Sequence, residues 1–124
     1  MNNVLATYLK TRDHYFLNAQ ECIKKKEWRK ASELLWGTIT QSIKALASIH
    51  GIRISSHNQF FGYMEGISQE TGDKEFYILF DELNNLHRNF YEEVIPPASF
   101  PIIYEKTLWF LEKIDNLQKK VSPD

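Results

Sequence analysis

The sequence predicts an all-α protein, folded as an antiparallel four-helix up-and-down bundle with an additional C-terminal helix. Apolar residues recur at steps of three, four and seven over most of the chain, which is the spacing of helices with one buried face. The links between these segments are short, and the alternation typical of strands is confined to residues 52–55. With 124 residues, 43% of them hydrophobic, the chain is predicted to form one packed domain over residues 1–124.

The first two predicted helices form a hairpin. Apolar residues mark the first helix from Leu5 to Ile23 and the second from Trp28 to Ile49. Only the charged segment KKKEW lies between them, and a link that short makes consecutive helices antiparallel neighbours. Gly37 lies inside the second helix, where glycine costs about 1 kcal/mol relative to alanine. We therefore expect another helix to pack closely against Gly37.

Local end signals define the third helix. Gly51 is suited to end the second helix in the left-handed conformation. Ser56 and Gln59 have the spacing of a capping box, which predicts that a third helix begins at about residue 57. Gly72 is suited to end this helix, so the third helix is predicted over about residues 57–70.

The fourth and fifth helices are predicted in the same way. Asp73 is a residue that commonly begins a helix, and an apolar stripe follows from Phe76 to Phe90. The prolines at positions 96 and 97 end the fourth helix because proline lacks the backbone N–H. A last apolar stripe predicts a fifth helix over about residues 101–120.

Composition and motif spacing exclude several classes of protein. The net charge is −1, so the chain lacks the overall basic field of a strong nonspecific nucleic-acid binder. No apolar run approaches the roughly 18 to 20 residues that cross a bilayer, and the N-terminus lacks the layout of a signal peptide. A single cysteine, Cys22, cannot form an intramolecular disulfide, and these features together predict a cytoplasmic protein. None of the four histidines has the spacing of a metal site, so we expect neither a metal nor a cofactor.

The fourth helix has a polar face that is a candidate binding site. Arg88 and Glu92 lie at i,i+4, and two readings of this face remain open. It could be a solvated surface with one ion pair, worth a few tenths of a kcal/mol. Asn85 and Asn89 are poor helix formers, however, and are better suited to hydrogen bonds with a ligand or across a subunit interface. His57, near a helix N-terminus, could meet an anion or serve local capping and packing.

Other candidate residues have ordinary structural interpretations. We interpret Trp28 as a core residue, Cys22 as a small buried residue and His87 as a hydrogen-bonded, partly buried histidine. A basic group surrounds the first helix junction and is predicted to be a solvated turn, although it could supply a few phosphate contacts. This group consists of Lys24, Lys25, Lys26, Arg29 and Lys30.

Three stretches carry a family resemblance when they are taken in order. They are EWRKASELLWGTITQSIKALASIHGI, SSHNQFFGYM and LNNLHRNFYEE. The first contains a helix that opens with tryptophan and includes LWG, the second a Ser-His pair at the next helix, and the third the pattern Leu-His-x-Asn-Phe-Tyr. Taken together, these stretches resemble the HEPN superfamily. Within it they are most similar to the archaeal PaREP proteins, over roughly residues 10 to 95. A tetratricopeptide unit is a weaker match, because no 34-residue period follows EWRKASELLW.

The resemblance implies a fold, an assembly and a type of site. HEPN proteins have an antiparallel four-helix core with an added helix and commonly pair as two-fold homodimers. Active members are metal-independent ribonucleases that use an arginine, a following polar residue and a histidine. Arg88 and Asn89 match the first part of this pattern, but Glu93, Val94 and Ile95 occupy the positions expected for the histidine. The resemblance therefore implies a module with a broken catalytic motif.

Three functions are consistent with the sequence. The first is a non-catalytic, dimeric HEPN-like module that engages a nucleotide, an RNA or a partner protein such as a nucleotidyltransferase, as in toxin–antitoxin pairs. Its binding residues would be Arg88, Asn89, Asn85, Glu92 and His57. Its dimer contact would use the small residues of the second helix and the polar face of the fourth. The second is a ribonuclease that uses Arg88 with Glu92, Glu93 or Tyr91, and the third is a purely structural helical adaptor.

Overall fold

The computed structural model describes residues 3–121 and contains, over that range, five α-helices and no strand. The predicted all-α class is confirmed, with a fifth helix added after the fourth. None of the helices in the described range is long and apolar enough to cross a membrane. In chain order the elements are α1 (Asn3–Lys24), α2 (Trp28–Ile49), α3 (His57–Thr71), α4 (Glu75–Glu92), a 3-10 turn (Pro97–Ser99) and α5 (Phe100–Val121).

The helix α2 lies at the centre of the bundle. Helices α1, α4 and α5 all pack against it, and its small residues Ala31, Ser42 and Ala47 are fully buried. Phe110 and Ile114 of α5 are also buried, so the C-terminal helix is part of the core. Ala31, Ser42 and Ala47 are therefore taken up by packing within the chain, while Gly37, Thr40 and Ser48 of α2 are only partly buried.

The hairpin of α1 and α2 has a tight turn and a close helix contact. Lys26 adopts a left-handed φ of 59°, and the N–H of Glu27 donates to the carbonyl of Cys22 at 2.9 Å, as in a Schellman motif. Further along α2, a Cβ added to Gly37 would lie 2.9 Å from Cδ2 of Tyr15 on α1. The close packing predicted at Gly37 is confirmed, and the tyrosine ring is the group that requires it.

The predicted helix-end signals are present. Gly51 and Gly72 both have left-handed φ values, of 73° and 72°. The Ser56 side chain accepts from the N–H of Gln59, and the Gln59 side chain accepts from the N–H of Ser56 at 3.0 Å, which completes the capping box. These local signals fix both ends of α3.

Ion pairs hold α5 against the start and middle of α4. Asp73 accepts from the N–H of Glu75 at 3.0 Å through Oδ1, while its Oδ2 accepts from Lys113 of α5 at 2.5 Å. Lys106 donates to both carboxylate oxygens of Glu82, at 2.9 and 2.7 Å. The two lysines therefore join α5 to α4 along one side, and the side of α4 that carries Ile78, Asp81 and Arg88 stays exposed.

Candidate functional site

Arg88 lies on the outward side of α4. Its Nε donates to Oε2 of Glu92 at 3.1 Å, and its Nη1 donates to Oδ1 of Asn85 at 3.2 Å. About half of the Arg88 side chain, 52%, is exposed. The third guanidinium nitrogen, Nη2, makes no hydrogen bond to any residue in the described range. The structure thus brings three of the predicted site residues together and leaves Arg88 with donors for a further partner.

The charge around Arg88 is mixed. Asp81 and Glu92 lie on the same outward side of α4, and both are exposed. Glu93 follows directly, but its carboxylate pairs with Arg29 of α2 at 3.2 Å. A bare phosphate that approached Arg88 would therefore also meet the carboxylate of Glu92, which already pairs with Arg88, and that of Asp81, which has no ion-pair partner within residues 3–121. A partner that offers groups of both signs fits this surface better.

Asn89 does not share the surface with Arg88, and the prediction that it binds beside Arg88 is wrong. Its side chain is 2% exposed. Nδ2 donates to Oγ of Ser32 at 3.0 Å, and Oδ1 accepts from the N–H of Ile95 at 2.7 Å. Successive helix positions differ by about 100°, so Asn89 points into the junction of α2 with the segment after α4. Its amide fixes that segment to the bundle.

His57, the first residue of α3, lies in a separate cluster of rings. Its ring centroid is 5.9 Å from that of Trp36, 5.4 Å from that of Phe61 and 5.5 Å from that of His87. These contacts give His57 a packing role, which was one of the two readings of its position. It does not contact the group formed by Asn85, Arg88 and Glu92.

His87 is paired with a carboxylate that the sequence did not reveal. Its Nδ1 lies 2.9 Å from Oε1 of Glu33 on α2, and both side chains are 33% exposed. The exposed ring of Tyr91 packs edge-on against His87 at 5.4 Å. A carboxylate at Nδ1 favours the tautomer in which Nε2 can accept a proton, as in general bases. Glu33 and His87 are 54 residues apart, so no local motif could have joined them.

A groove of about 390 Å³ runs along α2 beside this pair. Trp36 and Phe60 supply apolar surface, Glu33 and His87 lie toward one end, and Lys44 lies toward the other. The Lys44 ammonium is 6.0 Å from the centroid of the Phe60 ring. The volume lies within the range of small-molecule sites, and the lining combines flat apolar surface with charged groups.

The basic group at the first helix junction has a structural role. Arg29 donates through Nε and Nη2 to the carbonyl of Phe90, at 2.9 and 2.6 Å. A cation at this place is favourable because the last carbonyls of α4 carry the negative end of the helix dipole. Trp28 packs on Phe100 at 5.0 Å between centroids, beside a concavity of about 540 Å³. Arg29 of this group therefore binds the last carbonyls of α4.

Residues 3–121 contain no group of three or more His, Cys, Asp or Glu side chains placed to hold a metal ion. Cys22 is partly buried against the core. The polar groups that remain near α4 are Arg88 with its hydrogen-bonding neighbours and the pair of His87 with Glu33.

Comparison with known families gives one match. The model of the archaeal PaREP1/PaREP8 family matches residues 7–110, a range that includes all of α2, α3 and α4. No curated protein and no solved structure shows significant similarity to the chain.

Proposed function

The chain belongs to the archaeal PaREP1/PaREP8 family, and we propose that it acts as a non-catalytic, dimeric binding module of the HEPN type in the cytoplasm. The module engages a nucleotide, an RNA or, in the version that we favour, a partner protein such as a small nucleotidyltransferase in a toxin–antitoxin pair. The HEPN relationship and the class of partner rest on the resemblance of the three sequence stretches. The binding group consists of Asn85, Arg88 and Glu92.

The observation that carries the proposal is the state of Arg88. Two of its guanidinium nitrogens are oriented by neighbours on α4, while the third has no partner in the described range and the side chain is half exposed. An arginine held in this way loses less conformational entropy when it binds, and its planar fork suits a carboxylate or another paired acceptor. The Arg88 side chain does not pack in the core. These properties are those of a recognition residue.

The mixed charge of the surface supports a protein partner over a nucleic acid. Phosphate contacts depend on locally concentrated positive charge. The exposed outward side of α4 carries the carboxylates of Asp81 and Glu92 against the single basic residue Arg88. A protein can place its own basic groups opposite these carboxylates while it offers an acceptor to Arg88, whereas a phosphate backbone cannot.

Titration of the wild-type protein and of Arg88→Ala tests the proposal. The ligands are nucleotides, short RNAs and the proteins encoded by neighbouring genes. We expect Arg88→Ala to weaken binding by about 1.5 to 3 kcal/mol, the value of a charged hydrogen bond. Unfolding free energy should change by less than about 0.5 kcal/mol, because the Arg88–Glu92 pair is exposed. Arg53→Ala is the control, since Arg53 is also exposed but lies in the loop before α3.

Equal binding by wild type and Arg88→Ala would show that Arg88 is only a surface ion-pair residue. If none of these ligands bound to either protein, the third function, a structural adaptor without a site, would replace the proposal. Weaker binding by Arg53→Ala to the same degree would show that general charge, and not the oriented group on α4, causes the effect.

A ribonuclease is the second candidate, and the pair of His87 with Glu33 is the observation that favours it. A carboxylate-oriented histidine next to Arg88 in sequence, with His57 5.5 Å from it, could supply acid and base groups. We nevertheless expect no cleavage of single-stranded RNA or transfer RNA above background. Cleavage that survives a chelator and is lost in both His87→Gln and Arg88→Ala would support this candidate and overturn the non-catalytic proposal.

A further inference from the structure

The groove beside His87 is lined by residues of four helices. Its floor is a line of residues that share one side of α2, with spacings of four, three and four. The line consists of Glu33, Gly37, Thr40 and Lys44. Tyr15 of α1 lies on one side of this floor, where its ring covers Gly37, and Phe60 of α3 and His87 of α4 line the other side. The groove is therefore formed by the way α1, α3 and α4 pack around α2.

The lining of the groove is set back from the protein surface. All ten of its lining residues are buried or partly buried. The rings of Trp36 and Phe60 are only 6% and 7% exposed. The larger concavity of about 560 Å³ at the start of α1 differs, because most of its lining residues are exposed, among them Val4, Ile52 and Arg53. A recess with partly buried walls suits a small molecule better, since it removes more of the molecule from water.

Several polar groups of the groove have no partner in the chain. Lys44 forms no ion pair within residues 3–121, and its ammonium lies 6.0 Å from the centroid of the Phe60 ring. Glu33 is bonded only through Oε1, to His87, so its Oε2 has no donor among the described residues. The side-chain amide of Gln41 also makes no hydrogen bond over this range. Partly buried groups of this kind are available to a ligand.

We infer that the groove binds a small aromatic carboxylate that carries an N–H or O–H group on its ring. The carboxylate pairs with Lys44, and the ring lies against Trp36 and Phe60. The N–H or O–H group of the ring donates to Oε2 of Glu33. Each part of the ligand then meets a group of complementary chemistry. The inference goes beyond the proposed function, because Arg88 and its neighbours take no part in this site.

The length of the groove sets the size of the ligand. Glu33 and Lys44 are eleven positions apart on α2, so their Cα atoms lie about 16 Å apart along the helix axis. The side chains of a helix lean toward its N-terminus, so the long side chain of Lys44 shortens this distance. A molecule about 8 to 12 Å long, with one or two rings and a polar group at each end, spans the remainder.

The charge of the groove favours a carboxylate over a phosphate ester. Lys44 is the one lysine or arginine among the lining residues, and it balances one negative charge. A phosphate monoester carries nearly two negative charges at neutral pH, and the second would lie in a recess that already holds the Glu33 carboxylate. Backbone N–H groups cannot take up this charge, because the floor comes from the interior of α2, where these groups bond within the helix.

Binding of 4-hydroxyphenylacetate and of indole-3-acetate to the wild-type protein tests the inference. Both molecules carry one carboxylate and a ring donor, and they should bind with dissociation constants of about 1 mM or below, as expected for ligands with so few atoms. NMR titration of the nitrogen-15-labelled protein gives the constants, and the amide signals of Gly37, Gln41 and Lys44 should shift. The uncharged 4-hydroxyphenylacetamide should bind about tenfold more weakly. Phenylacetate, which lacks the ring donor, should also bind more weakly.

Substitutions at both ends of the groove locate the two polar contacts. Lys44→Met keeps an apolar side chain near Phe60 but removes the charge, so it should weaken binding of both carboxylates about tenfold and leave binding of the amide unchanged. Lys44→Arg keeps the charge and should keep most of the affinity. Glu33→Gln should reduce the advantage of 4-hydroxyphenylacetate over phenylacetate, because a neutral oxygen is a weaker acceptor than a carboxylate. Lys30→Met is the matched control, since Lys30 is also on α2 but is exposed and outside the groove.

The possible outcomes separate this inference from its alternatives. Absence of binding by both carboxylates at about 10 mM, ten times the expected constant, would overturn it, as would equal binding of the acid and its amide. Stronger binding of adenosine monophosphate with shifts at the same residues would overturn the class of ligand. The comparison of acid and amide needs only the wild-type protein, so the test does not depend on the folding of a variant. Arg88→Ala should leave these constants unchanged, whatever its effect on the proposed function.

Discussion

Arg88 and Asn89 are adjacent in sequence and have opposite environments. Arg88 is half exposed, and Asn89 is 2% exposed with both amide functions bonded inside the bundle. The sequence predicted a polar face for α4, and the helical spacing turns Asn89 about 100° away from Arg88, but it did not show which groups Asn89 would bond. Burial of that side chain depends on Ser32 of α2 and on the path of the chain at Ile95. Residue type gives the capacity to form hydrogen bonds, whereas the tertiary structure determines the partners.

We expect Asn89→Ala to lower the free energy of unfolding by about 2 to 3 kcal/mol. The substitution leaves the buried N–H of Ile95 without an acceptor and removes a bond to Ser32, and an unsatisfied buried group costs about 1 to 3 kcal/mol. Urea unfolding followed by circular dichroism gives the value. Asn85→Ala is the control, because within residues 3–121 the Asn85 side chain bonds only to the exposed Arg88, and the substitution should change stability by less than about 0.5 kcal/mol. Equal losses in the two variants would contradict the assigned role of Asn89.

At the scale of the helices, the sequence predicted the helix ends, which depend on residues close together in the chain. The capping box of Ser56 and Gln59 and the left-handed glycines at 51 and 72 are local, and all are present. Contacts between helices were harder to predict. The pair of Glu33 with His87 joins α2 to α4 and has no spacing signal. Gly37 is an intermediate case. The unfavourable helix propensity of glycine indicated that another group packs closely there, but it did not show that this group is Tyr15.

The contact of α1 with α2 at Gly37 predicts that Gly37→Ala destabilises the wild-type protein but stabilises a variant that lacks the Tyr15 ring. Gly37→Ala should destabilise the protein by about 1 to 2 kcal/mol, because the new Cβ would lie 2.9 Å from the Tyr15 ring and overpacking outweighs the gain in helix propensity. In a Tyr15→Ala background the same substitution should stabilise the protein, since only the propensity gain remains. A double-mutant cycle from thermal unfolding measures this coupling. Destabilisation of equal size in both backgrounds would show that the ring is not the cause.

At the scale of the whole molecule, α5 closes the bundle. Its buried residues Phe100, Phe110 and Ile114 complete the core around α2, and Lys106 and Lys113 fix it to α4. The apolar period predicted that α5 is a helix, but its neighbours in the bundle are residues far apart in sequence, which no local pattern identifies. The same placement leaves the side of α4 with Asp81 and Arg88 exposed, and this is the surface on which the proposed function depends.

The contact of Lys113 with Asp73 should make global stability depend on acid pH. The hydrogen bond from Lys113, supported by the N–H of Glu75, holds the pKa of Asp73 below its ordinary value. A carboxyl group whose pKa is lowered by folding stabilises the protein above the unfolded pKa of about 3.9, and this contribution is lost as pH falls through the folded pKa. Urea midpoints measured between about pH 2 and pH 7 should therefore fall at the acid end.

Two substitutions separate the contribution of Asp73 from that of other carboxylates. Lys113→Met removes the largest cause of the lowered pKa, so the Asp73 carboxyl signal in NMR should titrate at higher pH than in the wild type and the acid loss of stability should become shallower. Asp73→Asn removes the titrating group and should flatten the same part of the curve while it lowers stability at neutral pH, because the bond to Lys113 loses its charge. An unchanged Asp73 titration in Lys113→Met would show that the N–H of Glu75, and not the lysine of α5, controls this carboxylate. In that case the loss of stability at acid pH would come from the contact of Asp73 with the start of α4, and not from the contact between α4 and α5.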